Sequence, residues 1–186
     1  MYTECGLGRQ GPAHQSIMPK CYQLIGVPGS GKSTWVASQE WFKDCAYVST
    51  DNYIEEYAKH VGKTYSEVFH LAMTDALTAM VNEVLMARSM NQDIIWDQTS
   101  TTVNSRVRKF NMLPDYHHIA VVFPTPTLEV LKERLANRPG KNVPWDVVQG
   151  MINSWEEPTE KEGFKEIRFA ARPEGAGRED NVGINR

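Results

Sequence analysis

CYQLIGVPGSGKST, residues 21–34, decides the fold. The part before Gly26 is an apolar, strand-like run, and KSTWVASQEWF after the turn reads as a helix. Between them, Gly26-Val27-Pro28-Gly29-Ser30-Gly31-Lys32-Ser33 fits G-x-x-x-x-G-K-[ST] at every fixed position, in the strand-to-helix setting that the motif's mechanics require. Glycines in such a turn let backbone N–H groups curl around phosphate oxygens, and the helix start adds partial positive charge. The alternative is a merely structural glycine turn, which the complete motif in this setting disfavours. Gly26 to Thr34 are therefore expected to bind ATP, with Lys32 at the β- and γ-phosphates and the Ser33 hydroxyl on Mg²⁺.

Outward from this turn, short apolar runs alternate with helical stretches: CAYVS, a long helical region, DIIWD, another helix, and HIAVVF. Strands separated by helices of that length imply right-handed crossovers and a mostly parallel sheet between helical layers, an α/β fold of three layers. In the long helical region, with Ser66 as N-cap, Phe69, Met73, Leu77, Met80, Val84 and Leu85 recur at helical spacing and read as core rather than as a cofactor contact. TLEVLKERLANR and PWDVVQGMINSWEE supply two more helices, the second with Pro144 in its first turn. A chain of 186 residues suits one compact domain, expected over residues 20–170. Residues 1–19, where Met18 is an alternative start, read as a flexible leader, and residues 171–186 as a disordered, glycine-rich tail.

Composition narrows the function. A net charge of −3 provides no global basic field, so a nucleic-acid partner would have to be held by a local patch. The three cysteines (Cys5, Cys21 and Cys45) are odd in number and lack metal-site spacing; they read as reduced thiols of a cytoplasmic protein. No apolar run approaches the ~18 residues of a membrane span, and no signal pattern opens the chain.

Two strand-end carboxylates are candidates for chemistry. Asp51 follows Lys32 by one helix and one strand, so it emerges on the same sheet edge as the phosphate loop. A kinase needs a carboxylate there to orient or deprotonate an acceptor hydroxyl. Asp51 also suits the cap of the helix beginning NYIEEY, and the two roles are compatible. Asp97 ends IIWD and suits holding Mg²⁺ through water, or capping the next helix. The run QTSTT after it, with Thr99, suits phosphate or water contacts and equally a plain turn. Arg134 and Arg138, four residues apart, fall on one helix face, and RPGKNVP adds Lys141. Such a cluster reads as a lid that neutralises a transferring phosphoryl group; the alternative is an ordinary solvated face.

The order GVPGSGKST, a strand ending STDNY, IIWDQTSTT and R-x-x-x-R-P-G-K-x-V-P resembles the kinase domain of bacteriophage-type 5′-polynucleotide kinases, over about Cys21 to Trp155. The phosphate loop is common to many NTPases, whereas the arginine pair followed by KNVPWDVV is the more particular match. The resemblance implies the P-loop kinase fold with a helical, arginine-bearing lid. It also implies Lys32 and Ser33 on ATP and Mg²⁺, Asp51 on the acceptor hydroxyl, Asp97 supporting the acceptor side, and Arg134 and Arg138 on the nucleotide phosphates. Two departures stand out. Where that family has an arginine three residues after the aspartate, to hold the acceptor's 3′-phosphate, this chain has Ile54; Asn52 replaces a second acidic position. A rebuilt acceptor site is therefore expected.

The leading expectation is a kinase acting on a nucleic-acid hydroxyl in DNA or RNA, a 5′ end first. A hydroxymethylated base, such as the 5-hydroxymethyluracil phosphorylated by a related phage group, is one alternative. Ile54 and the net charge favour another, a nucleoside or sugar kinase. A third is a non-enzymatic ATP-dependent switch or toxin-like protein, for which Asp51 beside a complete lid has no use. Tyr53, Tyr57 and Tyr65 offer faces for base stacking, or simply core and rim.

Overall fold

Parallel strands cannot be joined by tight hairpins, so each step across such a sheet needs a crossover. In the computed structural model, which describes residues 18–170, five strands form one sheet: β1 (Lys20–Ile25), β2 (Ala46–Val48), β3 (Ile94–Asp97), β4 (His117–Val122) and β5 (Glu166–Phe169). Their order is β2-β3-β1-β4-β5, and every pair is parallel. The helices are α1 (Lys32–Ala37), α2 (Thr50–Val61), α3 (Tyr65–Ser89), α4 (Val103–Met112), α5 (Leu128–Ala136) and α6 (Trp145–Asn153). The expected three-layer α/β architecture is the one observed.

Alternate strand residues feed two cores. Cys21, Ile94 and Trp96 pack with Met80 and Val84 of α3 and with Leu113 and Tyr116. From the opposite face, Tyr22, Leu24, Ile95, Ile119 and Val121 pack with Val36 of α1 and with Phe123. Burial on both faces is the reason β1 and β4 carry nearly unbroken apolar runs.

Several local readings shift. β5 was not foreseen, because EIRF is a short edge strand with no apolar run. The long helical region is two helices, broken at Gly62, which caps α2 at φ 68°. The N-cap of α3 is Thr64 rather than Ser66. Its hydroxyl accepts from Glu67 N while Glu67 Oε2 accepts from Thr64 N at 2.7 Å, a reciprocal capping box. The buried stripe of α3 is Val68, Ala72, Ala76, Met80, Val84 and Ala87, whereas Leu77 and Leu85 are exposed. Ala72 and Ala76 pack with Ile54 and Ala58 of α2, and the larger Phe69 and Met73 are half-buried against the same cluster. EWF is not part of α1 but opens a separate 3-10 turn, Glu40–Asp44. Pro144 is the N-cap of α6.

The expected leader, except Met18 and Pro19, the expected tail and Cys5 all lie outside the described residues. Cys21 and Cys45 are free thiols. Among the described residues, no helix is long and apolar enough to cross a membrane.

One buried ion pair secures the turn after β3. Arg106 of α4, with 0% of its side chain exposed, makes a two-pronged contact with Glu162, Nε to Oε2 at 2.7 Å and Nη2 to Oε1 at 3.0 Å. Its Nη1 donates to the carbonyls of Ser100 and Glu156, both at 3.0 Å. Removing the guanidinium strands a buried carboxylate and two carbonyls. Arg106→Met should therefore lower the unfolding free energy by about 3–5 kcal/mol. Urea titration reads this as an earlier midpoint at unchanged slope; an unmoved midpoint would deny the pair any structural role.

Candidate active site

The phosphate loop is shaped by close approach. β1 ends at Ile25, and Gly26 N–H donates to Thr99 O at 2.9 Å, tying the loop to the segment after β3. A Cβ on Gly26 would lie 2.6 Å from Ser30 Oγ and 2.9 Å from Phe123 Cβ, so only glycine fits. Gly31 caps α1 in the left-handed region at φ 102°, and no side chain caps that helix. Its first-turn N–H groups are thus left to an outside acceptor. Among the described residues, the buried Ser30 Oγ has no protein partner either. An oxyanion-rich ligand fits this cradle.

Lys32 leans back over the loop, donating to Gly26 O at 2.8 Å and Val27 O at 3.2 Å. Burial pushes its ammonium down to about 8, while the charges of Asp97 and Asp51 hold it up. Pro28, Gly29, Ser30, Gly31, Lys32, Ser33 and Thr34 all line one cleft of about 1460 Å³. Gly26 and Val27 lie behind it; Val27 is fully buried against Leu131 and Val148, so its side chain is core.

Asp51, Asp97, Thr99, Arg134 and Arg138 reach the same cleft. Asp51 is not a cap: Ser49 holds that position without a side-chain bond, and Asp51 lies in the first turn of α2. Its carboxylate accepts from Lys141 Nζ at 2.6 Å and from the Tyr65 hydroxyl at 2.7 Å. Burial pushes the Asp51 carboxyl up, but the Lys141 charge and the bonds from Lys141 and Tyr65 outweigh it, leaving the group below its ordinary value. Lys141 also reaches Glu55 Oε1 at 2.8 Å and sits over the Tyr65 ring, 4.2 Å from its centroid. Asp97, opposite Leu24 at the end of β3, accepts from the Tyr47 hydroxyl at 2.5 Å.

The two arginines do not share a helix face. α5 ends at Ala136, with Asn137 as its cap, so Arg138 lies in the loop beyond. The Pro139-Gly140 pair, which cannot sustain helical geometry, follows at once. Arg134 Nη1 donates to Gly29 O at 3.1 Å, bracing the phosphate loop. The loop carrying Arg138 and Lys141 is docked on α3: Ser66 N donates to Gly140 O at 3.1 Å and Asn142 N to Ser66 Oγ at 2.8 Å.

Sequence reasoning offered Tyr65 as a stacking face, and it lines the cleft, but it missed other parts of the wall: Phe69 and Met73, read as core, and His70 line it too. Phe69 and Met73 are half-buried and also pack against the α2–α3 core, as expected of them, together with Tyr53, Tyr57 and Tyr65. Phe69 and Met73 share the four-residue spacing of buried residues, so no local signal separates them from the core stripe. Lys141 was visible only as one more cation in a lid loop. Among the described residues, no cluster of three His, Cys, Asp or Glu side chains forms a metal nest.

No curated protein matches this chain. Among solved structures, a candidate kinase from Chloroflexus aurantiacus superposes with a TM-score of 0.60 at 16% identity, covering 82% of this chain and 85% of that one. A sugar kinase from Janibacter sp. HTCC2649 gives 0.53 at 15%, covering 83% and 87%. A chain from the PezAT toxin–antitoxin system of Streptococcus pneumoniae gives 0.53 at 16%, over 63% of this chain and 51% of that one. At such identities these likenesses speak for the P-loop kinase fold alone. The sequence profile of the AAA domain family matches residues 23–158, from within β1 through Asp51 and Asp97 and past Arg134 and Arg138. A match of that extent, over a site built on this phosphate loop, makes the chain a member of the AAA domain family, with a P-loop kinase-like domain.

Proposed function

We propose that the protein is an ATP-dependent kinase that transfers the γ-phosphate to a nucleic-acid hydroxyl, a polynucleotide 5′-OH first. The observation that carries this reading is Asp51: an ionised carboxylate on the cleft that also holds the phosphate-loop lysine, fixed by Lys141 and Tyr65. A nucleotide-driven switch has no use for such a group. Held below its ordinary pKa, Asp51 suits orienting a hydroxyl by accepting its hydrogen bond more than deprotonating it outright.

Ser33, exposed in the first turn of α1, and Asp97, fixed by Tyr47 and acting through water, suit Mg²⁺, which keeps several waters and takes few protein ligands. When bound, the ion neutralises charge on the β- and γ-phosphates. Arg134 and Arg138 would meet the charge that spreads over the transferring group. Tyr65, Phe69 and His70 offer ring faces on which bases stack.

A second reading, a small-molecule kinase, draws support from Ile54. It is fully buried in the α2–α3 core, so α2 presents no cation one turn beyond Asp51. Incubation with γ-labelled ATP and a panel of acceptors decides between them: 5′-OH DNA, 5′-OH RNA, 5-hydroxymethyluracil DNA, nucleosides and sugars. Label on a 5′ end supports the first reading, label on a nucleoside or sugar alone replaces it with the second, and label on nothing overturns both.

Asp51→Asn keeps the shape and removes the charge. It should bind ATP as wild type does and transfer phosphate at least ~100-fold more slowly. Calorimetry beside acceptor phosphorylation checks both halves, and undiminished transfer would remove Asp51 from the chemistry.

The arginines should differ. Arg138→Ala should lower kcat on the order of 10–1000-fold with little change in ATP affinity. Arg134→Ala should also weaken ATP binding, because Gly29 O loses its donor. Equal effects on affinity would contradict that bracing role.

Lys32 supplies a pH signature. With its ammonium at about 8, part of the free protein carries a neutral amine at mildly alkaline pH. A polyphosphate favours the charged form and raises that pKa, so nucleotide binding near pH ~8.5 should take up protons. Calorimetry in buffers of different ionisation enthalpy measures the uptake, which Lys32→Ala should abolish.

A further inference from the structure

The floor of the cleft holds a buried lysine that the kinase reading does not use. Lys109 of α4 is 2% exposed, yet it lines the cleft together with Gln98, Ser100 and Ser105. Its Nζ donates to Ser100 Oγ at 2.8 Å and Ser105 O at 3.1 Å and lies 5.5 Å from the Trp96 ring centroid. Among the described residues it has no ion-pair partner, and nearby Arg106 and Arg108 share its sign. Burial pushes its ammonium down to about 8. The arrangement contrasts with Lys141 on the other wall, whose charge is answered by Asp51 and Glu55.

An ammonium kept from water without a counter-charge is unfavourable, and an arriving oxyanion would turn it into a strong, charge-assisted contact. Two neighbours suit the same ligand. Gln98 Oε1 is occupied by Trp96 Nε1 at 3.1 Å, which leaves the NH₂ side of the amide as the donor. Ser100 sits in the left-handed region at φ 51°, a conformation that non-glycine residues adopt at a cost and that concentrates at ligand sites.

We propose, resting on the kinase reading above, that the acceptor carries an oxyanion (phosphate or carboxylate) in addition to its hydroxyl, and that Lys109 receives it together with Gln98 and Ser100. The acceptor would then be gripped at both ends, its hydroxyl at Asp51 and its anion at the floor.

The test begins with inorganic phosphate, titrated calorimetrically into protein whose loop is filled with a non-hydrolysable ATP analogue and Mg²⁺. A parallel titration omits the analogue. Phosphate should still bind the loaded protein, Lys109→Met should weaken that binding at least about tenfold, and Lys109→Arg should retain part of it. Lys109→Met should melt no lower than wild type, since it removes an unanswered buried charge. If it does melt lower, Gln98→Leu and Ser100→Ala take its place, each expected to weaken phosphate at least about threefold. Thymidine 3′-monophosphate against thymidine, and gluconate against glucose, then tell phosphate from carboxylate, the charged member of one pair binding better. Phosphate that ignores all these substitutions, or does not bind, overturns the proposal and leaves Lys109 a pin for the turn at Ser100. Lys109-dependent phosphate binding without transfer to any acceptor would sink the kinase reading and keep the anion seat. Transfer without Lys109-dependent binding would do the reverse.

Discussion

Because β1 pairs in parallel with β3 on one side and β4 on the other, the chain leaves each of these strands at the same edge of the sheet. The phosphate loop after β1, the carboxylate Asp51 after β2 and Asp97 at the end of β3 all meet there. The constraint is geometric before it is chemical: in a doubly covered parallel sheet, the crevice outside the carboxyl ends is where loops from separate segments converge. The bond from Gly26 N to Thr99 O fixes two of those loops to each other. Arg134 on Gly29 O adds a third element from beyond β4.

Charge organises the two walls differently. On the α2–α3 side, Lys141 answers Asp51 and Glu55 at once, and its loop is hydrogen-bonded to the start of α3. The loop after α5 and the start of α3 are therefore one connected unit, and the Asp51 carboxylate is held by two donors. On the floor, Arg106 is matched by Glu162, while Lys109 beside it is not. Both cations bond Ser100 of the QTSTT turn, Arg106 at its carbonyl and Lys109 at its hydroxyl.

The three buried or half-buried lysines of the cleft show how context sets the role of one residue type. Lys32 rests on carbonyls of its own loop, Lys141 on two carboxylates, and Lys109 on a hydroxyl and a carbonyl. A carbonyl or hydroxyl satisfies a donor without cancelling its charge. Lys32 and Lys109 are correspondingly pushed down to about 8 by burial.

The sequence by itself determined the phosphate loop, the alternation of strands and helices, and hence the parallel three-layer fold. Each of those signals is local, a contiguous motif or a periodicity within one element. It also singled out Asp51, whose distance from the loop in whole elements predicts the sheet edge it reaches, Asp97 as a strand-end carboxylate, and Arg134 and Arg138 through a shared-face spacing that the end of α5 at Ala136 breaks. Only the tertiary structure decided what Asp51 touches, since Lys141 lies 90 residues away in the chain. Only it brought Phe69 and Met73, half-buried against the α2–α3 core, to the wall of the cleft as well, because the cleft is closed by segments far from α3 in the chain. And only it left Lys109, among the described residues, without a counter-charge: whether a buried charge is answered depends on which elements meet around it, and no spacing along one helix carries that information.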